Sequence, residues 1–228
     1  MLLRYHHIII TLIFGIGATS CGITENIPEE MAATEFLQSF SDSTREARFE
    51  ISKVQLNLTD FRFEAETPED RDVEIRIEHD HGVIVDLLKS RIDSSLVPDL
   101  PTGPFVELEV RLKAESVNGD PTLWVEGSLV DSTGQNLPFI LKIHHEFELR
   151  LEIEKEHEPF FFEHDFLSQF NISENFSKIF QNIDRSLWSQ VEIDETGVIM
   201  ISRDHNPGIF QKISLKLGDD FKIKIEHD

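Results

Sequence analysis

Cysteine is nearly absent from this chain of 228 residues: Cys21 stands alone, so no disulfide can form within it. Basic residues are scarce beside acidic ones, 21 against 43, which leaves a formal net charge of -22. A surface that acidic repels phosphate backbones, and nucleic acid is excluded as a partner on that ground. Catalytic signatures are missing as well. There is no G-x-S-x-G elbow, no phosphate-cradling glycine loop and no dinucleotide fingerprint. Internal repeats and low-complexity segments are also lacking. What is present is a globular composition, 39% hydrophobic and 28% charged. The length suits one good core with a small appended layer.

The lone cysteine matters by its position. Arg4 opens the chain, an apolar centre runs from Ile8 to Phe14, and Gly17-Ala18-Thr19-Ser20 bring small residues up to Cys21. A basic start, a short apolar centre and small residues at the cut are the layout of a secretory signal peptide over residues 1–20. The apolar part is too short for a membrane span. A cysteine directly after the cut resembles the bacterial lipoprotein signal. That resemblance implies lipidation of Cys21, with the membrane as a partner through the lipid. Gly22 follows, without the aspartate linked to inner-membrane retention in some bacteria, so an outer-membrane address is expected. Residues 21–46, polar and acidic, then read as a tether.

The body of the chain reads as strands. From Leu137 to Ile153, apolar residues (Phe139, Leu141, Ile143, Phe147, Leu149, Leu151) fall on every second position, with His145 in phase among them. Charged residues stand between, a period of two that puts one set in a core and the other in water. The run is long, so it predicts one bent strand or two strands broken near His144-His145. Earlier, Val54, Leu56 and Leu58 give way to Phe61 and Phe63, a phase slip that predicts a bulge or a crossing. Val73, Ile75 and Ile77 make a half-buried strand, and His81-Gly82 reads as a turn after it. Val97–Pro104 reads as rigid loop, and Val106, Leu108, Val110 and Leu112 as the next strand. In the last third, Phe176, Ile179, Phe180 and Ile183 mark a helix face with Ser173 as its cap. Asp184 or Ser186 caps a second short helix, Asn206-Pro207 opens a third, and Gly218 closes it. The expected fold is mainly β: an antiparallel β-sandwich over residues 47–228, with a few short helices from about 166.

Ile51-Ser52-Lys53-Val54 leading to Leu56 and Leu58, the loop Leu100-Pro101-Thr102-Gly103-Pro104-Phe105, and Pro138-Phe139 leading to Phe147-Glu148-Leu149 resemble one family. It comprises uncharacterised bacterial envelope lipoproteins with transthyretin-like β-sandwich domains. The resemblance implies a sandwich and an envelope role, and it brings no catalytic residue or cofactor.

Histidine and carboxylate recur as neighbours, at Glu78-His79-Asp80-His81, at His144-His145-Glu146 and near the C-terminus. These are ligands for zinc, copper and calcium. On a strand, His144 and His145 point to opposite faces, whereas His144 and Glu146 share one, as do His79 and His81 if that strand continues. His79, His81, His144 and Glu146 are the candidate metal ligands, weighed against a solvated acidic surface. Glu107 and Glu109 share a strand face but read as solvated rather than as a glycosidase pair. The adopted reading is a non-enzymatic, lipid-anchored envelope protein with a binding or structural role, its ligand a protein or a glycan. The alternative is a metal-binding protein or metal-dependent hydrolase.

Overall fold

The computed structural model describes residues 48–89, 100–101, 103–130, 136–155, 159–162, 167, 170–218 and 220–227. Cys21 and the stretches expected to be signal peptide and tether lie outside the described residues. Among the described residues, no helix is long and apolar enough to cross a membrane.

The protein is mainly β, with three short helices among the described residues of its C-terminal part. Four long segments run side by side. Strand β1 (Arg48–Glu66) pairs antiparallel with β2 (Asp72–Asp86) on one side. On its other side β1 takes two partners in succession, β4 (Glu107–Ala114) and β5 (Leu123–Val130). Next to these lie β6 (Asn136–Ile143) against β5, and β7 (Phe147–Lys155) against β4. The far edge is closed by two parallel pairings, β9 (Ile199–Ile201) on β6 and β10 (Asp220–His227) on β7. The larger sheet is therefore mixed, where a purely antiparallel one was expected. A two-stranded ribbon, β3 (Gly103–Phe105) with β8 (Phe160–Phe162), forms the second sheet. Gly103–Phe105 thus belongs to a strand, not to the expected loop.

One face of the large sheet is the core. Phe61, Phe63, Leu108, Val110, Leu112, Leu149 and Leu151 are fully buried there, each on the alternating position its strand predicts. At one end the ribbon covers this face, with Phe63 edge-on to Phe105 at 6.1 Å. At the other end helices cover it. Helix α1 (Ile172–Gln181) turns Ile172, Phe176, Ile179 and Phe180 inward. Phe180 stacks on Phe49 at 5.7 Å and meets Phe139 at 4.7 Å, and Trp188 closes on Phe49 at 5.2 Å. Ser177 Oγ donates to the Phe49 carbonyl at 2.9 Å, fixing the helix on β1. Phe180 and Trp188 thus pack the helices onto the sheet.

The cap of α1 differs from expectation. Asn171, not Ser173, precedes the helix, in a left-handed conformation with φ 43 that Asn tolerates better than most residues. Helix α2 (Arg185–Trp188) is capped by Asp184, which accepts from the Ser186 amide at 2.9 Å. Helix α3 (Pro207–Leu217) starts at proline, as predicted, and Gly218 follows its last residue. Asn206 adds a tie that the sequence does not show. Its buried side chain accepts from Glu192 N at 2.7 Å and donates to the carbonyls of Glu192 and Met200 at 2.9 and 2.8 Å.

All four long segments break at one level. In β1 the register shifts between Leu58 and Asp60, and opposite that step β2 bulges over His79–Gly82, between Glu78 and Val83. Residues 115–122 leave the sheet between β4 and β5, and 144–146 between β6 and β7. The breaks line up because Leu58 is in register with Ala114 and Ala114 with Phe147, while Leu56 aligns with Leu123 and Leu123 with Ile143. The result is a crease across the sheet. Gly82, at φ 64, lets β2 pass through it, and a Cβ there would run into Asn57 Oδ1. So β2 continues past His81-Gly82 as a bulged strand instead of turning.

Candidate interaction surface

The outer face of the large sheet is an ordered array of charges. Alternation within each strand brings the charged residues outward, and the register then decides which of them stand side by side. Arg76, Arg62, Arg111, Arg150 and Lys222 align across β2, β1, β4, β7 and β10 as one basic row. Glu74, Glu64, Glu109 and Glu152 form an acidic row beside it, and Asp72, Glu66, Glu107 and Glu154 a second one beyond. On the other flank stand Glu78, Asp60, Lys113 and Glu148. Like charges directly across strands repel. Here the repulsion is offset along each strand, where opposite charges sit two residues apart.

Arg76 reaches Asp60 and Glu78, each at 2.8 Å. Arg150 pairs with Glu148 at 2.7 Å, and Arg111 with Glu109. Lys113 bridges Glu115 at 3.0 Å and Glu146 at 3.1 Å, while Lys222 holds Glu152. Partial burial alone would raise the Glu109 carboxyl. The Arg111 guanidinium, backed by Arg150 and Lys222, outweighs it and holds the group below the ordinary carboxylate range. Arg111 is correspondingly raised by Glu109.

Among the described residues, no basic side chain pairs with the second acidic row at its β2 end. Glu64, Glu66, Asp72, Glu74, Glu107 and Glu109 surround an open trough of about 410 Å³. Glu66 is pushed above its usual value, first by partial burial and then by the carboxyls of Asp70, Asp72 and Glu107. This concentration of like charge was not evident from the alternation of the individual strands.

The predicted metal ligands sit on the crease, in two places. His79 is half-buried and His81 exposed, both in the bulge of β2 between Glu78 and Val83. His144 and Glu146 are exposed in the break between β6 and β7, where Glu146 is the partner of Lys113. β1 and the β4–β5 segment lie between the two places. The described residues contain no group of three or more His, Cys, Asp or Glu side chains able to hold a metal ion. His145 is exposed, not on the core face, because residues 144–146 leave the sheet altogether.

The chain matches no family model, no curated protein and no solved structure.

Proposed function

We propose that the chain is a lipid-anchored protein of the bacterial cell envelope, held in the outer membrane through Cys21, with a binding or structural role and no catalytic activity. The observation that carries this reading is the order of basic start, short apolar centre and small residues ending at Cys21. Several acyl chains on one cysteine anchor a protein stably, where a single chain binds only marginally. The charged outer sheet face supports the binding half of the reading. It is broad, solvent-facing and made of groups that recognise other surfaces by charge and shape. A transthyretin-like β-sandwich lipoprotein is the family this reading favours.

The test is a Cys21→Ser variant expressed in a bacterial host. It should leave the membrane fraction and lose incorporation of radioactive palmitate. A variant that stays in the membrane, beside a wild type that takes up no label, overturns the reading.

A further inference from the structure

We propose that the free edge of β2 is a docking site for an extended segment of a partner protein in which basic residues alternate with β-branched apolar ones. This gives a partner chemistry to the binding role proposed above.

Among the described residues, β2 has β1 on one side and no strand on the other. An edge strand presents unpaired N–H and C=O groups, which a further strand can complete. Edges are usually guarded by proline, by lysine or by charges that point inward. None of these stands in Asp72–Glu78, whose inward positions are Val73, Ile75 and Ile77. These three are only half-buried, although their register partners Ala65, Phe63 and Phe61 are buried. A strand added here would extend the core face over them with its own apolar residues.

The outward positions set the charge of the partner. Asp72, Glu74 and Glu78 are acidic and Arg76 alone is basic. A second copy of this chain would set acidic edge against acidic edge at a net charge of -22 each, so it is disfavoured. Opposite charges directly across two strands attract. The complement of this edge is therefore basic opposite Asp72, Glu74 and Glu78, and acidic opposite Arg76. Antiparallel pairing, the more stable arrangement per residue, makes that segment Lys-Val-Glu-Val-Lys-Val-Lys.

The experiment measures binding of a synthetic peptide carrying this heptad to the full-length chain in mild detergent. Two further peptides accompany it, one with lysine and glutamate exchanged and one of the same composition scrambled to destroy the alternation. The matched peptide should bind about tenfold or more tighter than either, weaken with added salt, and slow hydrogen exchange of the β2 amides. The double variant Glu74→Lys, Glu78→Lys should lose that preference. Glu195→Lys with Asp204→Lys, the same change of charge in exposed loops outside the sheet, should keep it. Equal binding of the scrambled peptide would reduce the effect to general electrostatics and overturn the proposal. So would absence of binding at low salt, or β2 protection that grows with protein concentration and needs no peptide. The site depends on the sheet edge and not on Cys21, so this test and the membrane-release test succeed or fail separately.

Discussion

Truncating Leu149 while leaving its neighbour Glu148 intact, and then the reverse, asks whether the central strand is half-buried as described. Leu149 is fully buried. It stands in register between Leu112 on β4 and Phe221 on β10. Phe221 in turn lies 5.6 Å from the ring of Phe176, so helix α1 fixes it from above. Neighbours held by two strand ladders and a helix cannot move in to fill a hole. Leu149→Ala should therefore fall in the upper part of the range for buried leucines, about 3–5 kcal/mol. Glu148 faces outward with its side chain 24% exposed, and its replacement removes a part-exposed pairing with Arg150. Its replacement by alanine should stay within about 0.5 kcal/mol. Urea denaturation of both variants, with unchanged slopes, gives the two numbers directly. Equal losses, or a larger loss at Glu148, would refute the assignment of faces, since one step of register exchanges them.

Two further substitutions test the packing and the charge array. Gly127 lies where a Cβ would come within 2.5 Å of the Glu50 carbonyl and 2.8 Å of the Phe139 ring, so Gly127→Ala should destabilise by about 1–3 kcal/mol in the same assay; a neutral outcome would contradict the close approach of β1 and β5. Glu66→Gln should raise the midpoint of thermal unfolding at neutral pH. The folded-state pKa of Glu66 lies above its unfolded value, so the ionised group opposes folding above that pKa and the penalty disappears as pH falls below it. The gain should thus shrink toward pH 4, and a gain that is constant with pH would rule out carboxylate crowding as its cause.

Much of this architecture was legible in the chain because period-two alternation reports burial directly. The change of phase from Leu58 to Phe61 marked the shift in β1, and Asn206-Pro207 with Gly218 marked both ends of α3. His145 misled for a specific reason. Three residues leave the sheet at 144–146, and because Ile143 and Phe147 both stay buried on odd positions, the alternation passes over the gap unchanged. Ile199–Ile201 is too short to display any period, and nothing local says that it will pair with β6 in parallel. The charge rows were hidden for a deeper reason. Each strand shows its own sequence of signs, but only the register aligns Arg62 with Arg76 and Arg111, and register is a property of pairs of strands.

The parallel closure of the sheet by β9 and β10 also has a consequence in time. The outer edges of β6 and β7 are complete by residue 155, yet the strands that cover them come from residues 199–201 and 220–227. At ordinary rates of synthesis, about 5–20 residues per second, a growing chain spends several seconds with those edges bare. Their apolar faces are bare for part of that interval, since the covering helices begin only at residue 172 and end at 217. A nascent chain of this design needs a holding partner or an unfolded passage during that window, and release before its last strand is made would leave a template for aggregation.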